Sequence, residues 1–581
     1  MVRIISCLSL ALLSFAAQAQ LLAPERSTAW ELAGNTTDIS ASDNVISILD
    51  YGADATGVAP SNTAYTAAIA ALNGSAGTIL FPEGQYFFTS ELLVPDSVFL
   101  QGESAASVLN FDLGNTGDLI RMAGSISATP IMLSQAAERG TTTLVIDDAA
   151  TLVVGDVIRL AMTDNDLIFS DWAYGQLGQI VAIAAIEGNT LTLSDPLNTF
   201  YPMSRAPKVF KMTPTRAAGV ECLSIQRLDN AAAQVSNINI RASFNCVVRN
   251  VYSSKCDYAH VNITTSAHIT VEGCYFNRAI GYGGGGQGYG VMVEESSSFC
   301  HVQNNIFDRL RHSMILQGGA NGNVFGYNFS RDPNWVQSGF PANSAGDVVM
   351  HGNYPYMNLF EGNTVQNIVV DASHGSNGPF NTFFRNRVAL YGFISDNSTV
   401  TDSMNVIGNE IPNMGLFMGN LSLNGAGHFS YGNYVRGAAN PIGTEDITEE
   451  TLIYGDGIYP AYMENSLPYI GYPLAVNANT TPANTRYLSG TYVLCAADVV
   501  TGIAEENVLK SIPELMGNRL LVPAELLPAQ YMVYGMDGRI YAQRTIHESI
   551  NEIAPISSGM YVIRLSAIDG TITNWKIAAG F

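Results

Sequence analysis

The chain has 581 residues, of which 47% are hydrophobic and 13% are charged, and its 27 basic and 50 acidic residues give a net charge of −23. This composition excludes an intrinsically disordered protein, a collagen-like fibre and a coiled coil, because the chain is apolar enough to bury a large core and too poor in charge for long solvated helices. So acidic a surface repels phosphate backbones and anionic lipid, which argues against nucleic acid and membrane-surface partners.

Residues 1–19 have the parts of a secretory signal peptide. Arg3 supplies a basic start, residues 4–16 are mostly apolar, and Ala17-Gln18-Ala19 supplies small residues at a cleavage site. The apolar run is too short to cross a bilayer as a helix. We therefore predict cleavage after Ala19 and export of the remaining chain.

Three segments near the N-terminus follow one another in a characteristic order. Residues 45–54 are VISILDYGAD, residues 63–69 are TAYTAAI, and residues 78–86 are TILFPEGQY. They resemble the opening block of the pectate-lyase/polygalacturonase superfamily. That block is a strand with a Tyr-Gly-Ala turn, then a short capping helix, then a strand ending in Phe-Pro-x-Gly-x-Tyr. The resemblance implies a right-handed parallel β-helix and a carbohydrate-active enzyme that cuts a polysaccharide.

Residues 138–200 contain runs of alternating apolar and polar residues that differ from the segments before them. Gly-Asp and Glu-Gly-Asn turns join the runs, as they do in antiparallel hairpins. We predict a small antiparallel β insertion over residues 138–200, with the residues DWAY at 171–174 as its exposed tip.

Six cysteines remain once the leader is removed, and five of them lie between Cys222 and Cys300. They are too sparse for a disulfide scaffold and lack the C-x-x-C spacing of zinc sites. We expect buried or locally paired structural cysteines rather than catalytic thiols.

From about residue 245 the chain repeats a unit in which apolar residues flank an asparagine. From the second asparagine onward the spacings are 23, 35, 23, 23 and 24 residues. A period near 23 residues is typical of a right-handed parallel β-helix, and asparagine suits it because its side chain tolerates left-handed turns and can hydrogen-bond to its copies on adjacent coils. The predicted ladder contains Asn250, Asn305, Asn328, Asn363, Asn386, Asn409 and Asn433.

Two intervals of this repeat are longer than the period. The surplus residues fall in a glycine-rich stretch, residues 281–289, and in residues 330–346. Both precede the same strand of their coils, so we expect them to wall a groove, since the insertion-bearing face of a solenoid is commonly its binding face.

Counting back from the asparagines places polar residues in two adjoining columns beside this groove. Neighbouring coils stack at roughly 4.8 Å, so the residues of one column lie close together. Solvated strand faces can also carry polar rows, but histidines and aspartates clustered on consecutive coils favour a functional site. The first column contains Tyr289, His312, Asp347 and Asp371, and the second contains Glu294, Gln317, His351 and His374.

Two kinds of polysaccharide cleavage remain open for this cluster. Lyase chemistry needs a base near the C5 proton and a cation that neutralises the uronate, and hydrolysis needs two carboxyl groups. The base would be His374 or His351, the cation Arg385 or Arg387, and the carboxyl pair Asp347 and Asp371. The superfamily's Asn-x-Asp and Asp-Asp motifs are absent, which favours a lyase or an unusual hydrolase. The predicted catalytic set is His374, His351, Asp347, Asp371, His312, Arg385 and Arg387.

Binding residues are predicted from the same region. Aromatic side chains suit stacking on sugar rings, and polar residues flanking the histidines suit hydrogen bonds to hydroxyl groups. The predicted substrate-binding set is Glu294, Gln317, Trp335, Tyr289, Tyr354 and Tyr356, with Phe340 beside it. No cofactor is predicted with certainty; calcium is possible through Asp332, Asp347 and Asp371, although no EF-hand-like spacing supports it.

The C-terminal residues carry a second resemblance. Residues 531–539 are YMVYGMDGR, residues 556–565 are ISSGMYVIRL, and residues 575–577 are WKI. These segments resemble the C-terminal sorting domain of the type IX secretion system, which implies a Bacteroidota origin, the secretion machinery as a partner, and a secreted or surface-attached protein. A terminal β-sandwich without a sorting role is the alternative.

The sequence therefore predicts an all-β, monomeric protein. Its predicted parts are a signal peptide (1–19), an N-terminal cap with the first coils (20–137), the insertion (138–200), coils with the groove (201–440), a linker or C-terminal cap (441–504) and a β-sandwich domain (505–581). The predicted function is that of a secreted polysaccharide lyase or glycoside hydrolase. The alternative is a non-catalytic glycan-binding protein or adhesin at the cell surface.

Overall fold

The structure is a computed structural model that describes residues 21–37, 39–230, 234–337, 339–396, 400–455, 457–464, 466–472, 480–495, 514–516, 519–522, 527–535, 540–547, 550–552, 559–567 and 572–579. The predicted signal peptide lies outside these residues. Two α-helices are described, Asn62–Ala71 and Pro482–Ser489, and neither is long and apolar enough to cross a membrane. Short 3-10 helices occupy Pro24–Arg26, Trp30–Leu32, Ile48–Tyr51, Asp171–Ala173, Met203–Arg205, Ala342–Ser344 and Ala461–Met463.

The chain winds into a right-handed parallel β-helix, which confirms the predicted fold. Sheet 1 contains twelve strands, each paired in parallel with its neighbour on the next coil. In order along the helix they are Val45–Ser47, Gly77–Phe81, Val98–Gly102, Gly219–Glu221, Val247–Arg249, Thr270–Glu272, His301–Gln303, Val324–Gly326, Leu359–Glu361, Thr382–Phe384, Asn405–Ile407 and Phe429–Tyr431.

Two further parallel sheets complete each coil. Sheet 2 contains Thr56–Pro60, Gly84–Phe88, Ser107–Phe111, Ser224–Arg227, Tyr252–Cys256, Tyr275–Ala279, Ile306–Asp308, Phe329–Arg331, Glu410–Ile411 and Asn433–Val435, with Ala438–Asn440 antiparallel at its end. Sheet 3 contains Leu92–Leu93, Ile120–Ala123, Ile238–Arg241, Ala259–Thr264, Tyr289–Glu294, His312–Leu316, Val348–Met350 and Asn420–Ser422. Thr364–Val370 and Arg387–Ser395 run through both sheets, and Thr215–Arg216 pairs separately with Ser243–Phe244.

Apolar side chains that stack in register on successive coils fill the core. The rings of Phe325, Phe360 and Phe383 follow one another with centroids 5.1 Å apart at each step. Valines occupy the same column on earlier coils, for example Val271 and Val302, and all of these side chains are fully buried. Each coil buries its apolar face only against its neighbours, so the stability of one coil depends on the next.

The predicted asparagine ladder is confirmed from Asn305 to Asn433. Each side-chain oxygen accepts the backbone N–H and the side-chain amide of the preceding member, at 2.9–3.1 Å. Asn250 is not a member, because its register places it one residue before the ladder position, in a left-handed turn. The left-handed conformation therefore belongs to the residue before each ladder asparagine. A second ladder, not predicted, links Asn323, Asn358 and Asn381 where the chain enters sheet 1.

An N-terminal strap, residues 21–37 and 39–44, runs back along the outside of the coils toward the first strand. Arg26 donates to the carbonyl oxygens of Ser403, Met404 and Gly427, at 2.9–3.2 Å. The Trp30 indole donates to the Met357 carbonyl at 2.7 Å, and the Gly34 N–H donates to the Phe299 carbonyl at 2.7 Å. The strap therefore ties successive coils together from the outside.

The antiparallel insertion is larger than its predicted bounds of residues 138–200. Its six strands pair in the order Thr143–Val145, Thr190–Leu193, Gly178–Glu187, Val157–Ala161, Lys208–Thr213 and Ser125–Met132. The first and last of these strands along the chain, Ser125–Met132 and Lys208–Thr213, are each separated from a coil strand by a single residue, Gly124 or Pro214.

Two small antiparallel sheets are described beyond residue 513, consistent with the predicted β-sandwich. One contains Glu514–Met516, Arg519–Leu521 and Ile550–Glu552, and the other contains, in order, Ile540–Ile546, Ala529–Gly535, Gly559–Ala567 and Ile572–Ala579. Before them, described residues between 441 and 495 pack on the coils, and Arg486 donates to the Gly273 carbonyl at 3.1 Å.

The six cysteines that the structure describes form no disulfide bond among the described residues. Cys222 is half-buried and the other five are buried. Burial raises the pKa of Cys246, Cys274 and Cys300 to about 12, so these thiols stay protonated at neutral pH. They pack as small apolar side chains, as the prediction of structural cysteines implies.

Candidate functional site

The outer face of sheet 3 carries four polar residues in one column. Each follows a sheet 3 strand residue that is paired in register with its counterpart on the neighbouring coil. In order along the coils, the four residues are Glu294, Gln317, His351 and Asp371. We call these four residues the site column. The sequence placed His374 in the position that Asp371 occupies; His374 instead lies three residues further on, in the turn that leaves sheet 3.

An imidazole and a carboxylate form a hydrogen-bonded pair at the end of the site column. His351 Nδ1 lies 2.7 Å from Asp371 Oδ2. Burial by itself raises the pKa of Asp371, but the hydrogen bond and charge of His351 hold it below its ordinary value. An ionised carboxylate only accepts, so Nδ1 carries the proton and Nε2 is the basic nitrogen. This pair is suited to take up a proton from a ligand.

His374 lies beside the His351–Asp371 pair, in the adjacent turn. Its ring meets that of His351 edge to face, with centroids 5.0 Å apart. Its Nδ1 lies 3.0 Å from the hydroxyl of Ser170, and its ring is 5.6 Å from that of Trp172, both residues of the insertion. Burial, and then the neighbouring His351, lower the pKa of His374. A neutral His374 does not oppose a positive charge on His351.

His312, Tyr289 and Arg311 extend the site along sheet 3. The His312 ring lies 6.2 Å from that of His351 and 5.4 Å from that of Tyr289. Burial, followed by the charges of Arg311 and His351, lowers the pKa of His312 to about 3, so its ring is neutral. The Arg311 guanidinium lies 5.8 Å from the Tyr289 ring, and its Nε and Nη1 are buried without a hydrogen-bond partner among the described residues. An anionic group of a ligand would satisfy these donors.

Glu294 and Gln317 form the other end of the site column. Gln317 Nε2 donates to Glu294 Oε2 at 2.6 Å, while Gln317 Oε1 is buried without a partner in the described part of the chain. Burial, and then the nearby Glu295, raise the pKa of Glu294 to about 7. At neutral pH this carboxyl group therefore exists in both protonation states.

The raised pKa of Glu294 makes stability depend on pH. The pKa of Glu294 is about 7 in the folded protein and 4.5 in the unfolded chain. The contribution of Glu294 to stability is therefore intact below the unfolded pKa and declines as pH rises through the folded pKa. We expect Glu294→Gln to match the wild type near pH 4 and to exceed it at about pH 8 by on the order of 3 kcal/mol in urea denaturation. Glu187→Gln, at the exposed end of a strand, is the control, and an advantage of Glu294→Gln that does not grow with pH contradicts the expectation.

Asp347 belongs to the scaffold rather than to this site. It is fully buried, and its carboxylate accepts from the Ser330 hydroxyl and from the N–H groups of Gln366 at 3.1 Å and Asn367 at 2.7 Å. Burial raises its pKa to about 7. It precedes His351 by four residues, about 13 Å along a strand, and Asp371 lies opposite His351. The predicted Asp347–Asp371 pair is therefore too widely spaced for either glycosidase geometry.

The two predicted arginines also lie away from His351. Arg385 occupies a left-handed turn beside the asparagine ladder and donates to the carbonyl oxygens of Glu449 at 2.9 Å and Tyr472 at 3.2 Å. Arg387 lies in sheet 2 and forms an ion pair with Glu410. The structure therefore does not place either one as the neutralising cation.

Most of the predicted sugar-stacking residues have structural partners instead. Tyr356 is buried and donates to the Gly178 carbonyl at 3.1 Å, and Tyr354 is half-buried beside it. The Trp335 indole donates to the Pro341 carbonyl at 3.1 Å and packs 5.8 Å from Phe340, so both rings order their own loop. Tyr289 is buried between Tyr258 and His312, at ring distances of 5.3 and 5.4 Å.

The three aspartates considered for calcium have separate partners. Asp332 pairs with Arg309 at 2.6 Å, Asp371 with His351, and Asp347 with scaffold groups. Within the described ranges, no group of three or more His, Cys, Asp or Glu side chains could hold a metal ion.

Two residues of the site were missed from the sequence. Arg311 directly precedes His312, and that adjacency was the available signal. Ser395 pairs with Val370, so the residues that follow them, Asp396 and Asp371, lie side by side on adjacent coils. The Asp396 side chain is exposed. Counting one coil further along the second column gives Asn397, one residue beyond Asp396.

An open cavity of about 420 Å³ lies elsewhere, on sheet 1 beneath the N-terminal strap. Several of its polar groups already have partners: Gln303 donates to Glu272 at 2.6 Å and accepts from two tyrosine hydroxyls, and Arg249 pairs with Glu221 at 2.6 Å, whereas His301 Nε2 has no partner among the described residues. We therefore place the candidate site at His351 rather than in this cavity.

Comparisons with known proteins give the following matches. Residues 45–284 match the family model described as rhamnogalacturonase A/epimerase, pectate lyase-like, and this range includes the opening block that suggested the superfamily. No curated protein matches the chain significantly.

Similar solved structures include two phage tailspikes and an enzyme. Tailspike gp49 of Pseudomonas phage LKA1 is 17% identical with a TM-score of 0.49, and the match covers 62% of this chain and 63% of that one. The exopolygalacturonase of Thermotoga maritima is 9% identical (TM-score 0.35; 65% and 82% covered). The gp54 tailspike of Acinetobacter baumannii bacteriophage AP22, solved with capsular saccharide, is 13% identical (TM-score 0.37; 69% and 74% covered).

Proposed function

We propose that this protein degrades a polysaccharide and acts as a lyase on uronate residues. The observation that carries the proposal is the pair of His351 Nδ1 and Asp371 Oδ2 at 2.7 Å on the outer face of sheet 3. The match of residues 45–284 to a pectate lyase-like family model agrees with a polysaccharide substrate.

In this proposal His351 is the base. Its Nε2 takes the proton from C5 of the uronate, the electrons of that bond form the C4–C5 double bond, and the bond from C4 to the leaving oxygen breaks. The imidazolium, stabilised by ionised Asp371, returns the proton to the leaving oxygen. The pKa of His374 is lowered, so its ring is neutral and adds no charge beside this centre.

Arg311 takes the part that the sequence had given to Arg385 or Arg387. Its two unpartnered donors, among the described residues, are suited to a carboxylate, and neutralising the uronate lowers the energy of the carbanion that forms at C5. It belongs to the run of side chains that leads through Tyr289 and His312 to His351.

Arg311→Gln tests this role. We expect kcat/KM on a uronate polymer to fall by about 100-fold or more, because one stabilising charge is lost in the transition state. The matched control is Arg309→Gln, two residues earlier, since Arg309 is paired with Asp332. Equal activity of the two variants would remove Arg311 from the mechanism.

A second candidate function is hydrolysis by Asp371 with Asp396. The two occupy equivalent positions on adjacent coils, and strands about 4.8 Å apart bring carboxyl groups near the separation used by retaining glycosidases. In that case the protein would cleave the glycan with water and leave no double bond.

One assay separates these functions from a non-catalytic glycan-binding role. Purified full-length protein is incubated with pectin, alginate, sulfated algal glycans and neutral glucans, while ultraviolet absorbance of unsaturated products and reducing ends are recorded in parallel. A lyase raises both signals and a hydrolase raises only reducing ends. A protein that binds a glycan without raising either signal is an adhesin.

We also propose that the protein acts outside the cell, secreted or attached to the outer membrane. The signal-peptide pattern of residues 1–19 and the sorting-domain resemblance of the C-terminal residues support export through the type IX machinery.

A further inference from the structure

The tip of the antiparallel insertion, residues 164–177, holds three exposed aromatic side chains near His374. Phe169 is 68% exposed, Trp172 50% and Tyr174 44%. Single exposed apolar residues need no explanation, but three aromatic rings within six residues form a patch of the kind that binds a ligand. The Trp172 ring is 5.6 Å from His374, so the patch adjoins the reacting centre.

The tip is held rigidly against the coils. Asn353 Oδ1 accepts the backbone N–H groups of Phe169 at 3.1 Å and Ser170 at 2.9 Å, and the Ser170 hydroxyl contacts His374. Within the tip, the Asp164 carboxylate accepts the N–H groups of Gly175 at 2.7 Å and Leu177 at 2.8 Å. The exposed rings are therefore presented on a fixed backbone, which reduces the entropy lost on binding.

The coil turns are shaped to receive the tip. At Gly375 a side chain would bring its Cβ within 2.5 Å of Phe169 Cβ, and at Gly319 within 2.2 Å of the Gln176 carbonyl oxygen. Both glycines also have φ near +70°, at 75° and 69°. The close approach sets Phe169 and Trp172 over the turn that contains His374.

The charge of the tip selects among sugars. Residues 164–177 contain three aspartates and no lysine or arginine. Asp166 is paired with Arg205 at 2.6 Å, but Asp171 is exposed directly before Trp172. A carboxylate on a bound ring would be repelled here, whereas sugar hydroxyls would donate to Asp171.

We propose that Phe169, Trp172 and Tyr174 form a stacking platform for an uncharged hexopyranose ring, adjacent to the uronate that is cleaved. The ring's C–H face packs on the aromatic rings and its hydroxyl groups bond to Asp171. This inference rests on the proposed function in taking the ligand to be a glycan. It assigns the insertion a role in substrate selection, and it implies a heteropolysaccharide substrate.

The test is equilibrium binding in the full-length His351→Ala background, which prevents turnover. Calorimetry is performed with hexasaccharides of glucose, mannose, galactose and galacturonic acid. We expect at least one neutral hexasaccharide to bind, and Trp172→Ala to weaken that binding about tenfold. Tyr174→Ala should weaken this binding severalfold while leaving the Trp172–His374 contact in place. Trp172→Phe should retain most of the affinity that Trp172→Ala loses. Phe200→Ala is the matched control, because Phe200 is 41% exposed on the insertion outside the tip.

The outcomes separate the platform from the catalytic proposal. The platform is overturned if no neutral hexasaccharide binds, if Trp172→Ala and Tyr174→Ala bind it as the control does, or if these variants lose only the galacturonate ligand. Unsaturated product from the wild type in such a case leaves the lyase proposal intact. Binding that depends on Trp172, without any cleavage by the wild type, supports the platform and removes the enzyme.

Discussion

His351→Ala is expected to lower kcat by about 100- to 10,000-fold on the true substrate, the range typical for loss of a general acid or base. The reason is that alanine removes the only atom, Nε2, that the proposal assigns to proton transfer. Asp371→Asn should also lower kcat, because an amide can donate to Nδ1 and so favour the wrong tautomer. The measurement is initial rates of unsaturated-product formation at saturating substrate.

The fold should survive these substitutions. His351 is 8% exposed and loses one hydrogen bond, so we expect a loss of about 1–2 kcal/mol in unfolding free energy rather than loss of structure. His547→Ala, at an exposed position of the C-terminal part, is the control for activity. His374→Ala is the comparison within the site, and its loss of turnover should be the smaller one because His374 contacts a hydroxyl rather than a carboxylate. Full activity of His351→Ala would place the chemistry elsewhere.

The coils were predictable because their signal repeats. An asparagine that bonds to its copy on the next coil must recur once per coil, and Asn305, Asn328 and Asn363 do so whether 23 or 35 residues separate them. The spacing does not report how a coil divides its residues among strands and turns. This explains why Asn250, one residue out of register, was included in the ladder.

The candidate site contains histidines and aspartates of the predicted columns, but their register differs from the predicted one. Counting a fixed number of residues back from Asn386 assumes that every coil has equal turns. In this coil, however, Thr364–Val370 runs from sheet 2 into sheet 3 without a turn, and the turn that follows is longer, so Asp371 rather than His374 meets His351. Two compensating changes leave the total period at 23 residues, and the sequence pattern cannot reveal them.

Contacts between distant segments were beyond any local pattern. Ser170 and His374 are separated by 204 residues, and Phe169 and Asn353 by 184. The sequence predicted an exposed tip at residues 171–174 and histidines on the coils, but nothing in either segment indicates that they meet. The partners of Arg385 and Tyr356 were unpredictable for the same reason, since they lie in the C-terminal cap and in the insertion.

Asn363→Ala is expected to lower the unfolding free energy by about 3–5 kcal/mol, the largest stability effect predicted for a single residue of this chain. The Asn363 side chain is fully buried in the middle of the ladder. Its oxygen accepts from the backbone N–H and the amide of Asn328 at 3.0 and 2.9 Å, and its amide donates to Phe325 and Asn386 at 2.8 and 2.9 Å. Alanine leaves these groups unpaired in a site that is closed to water.

The matched control is Asn110→Ala, which removes the same atoms from a half-buried strand position. Among the described residues, the Asn110 amide donates only to Gln85, at 2.8 Å. Water can replace that bond, so we expect a change of about 0.5 kcal/mol or less. Urea denaturation followed by far-ultraviolet circular dichroism gives both values. Because each ladder asparagine orders the turn of the preceding coil, the loss at Asn363 should spread to its neighbours as increased amide hydrogen exchange at Asn328 and Asn386. If Asn363→Ala costs no more than Asn110→Ala, the coils are held together by their stacked apolar side chains, and the ladder only records their register.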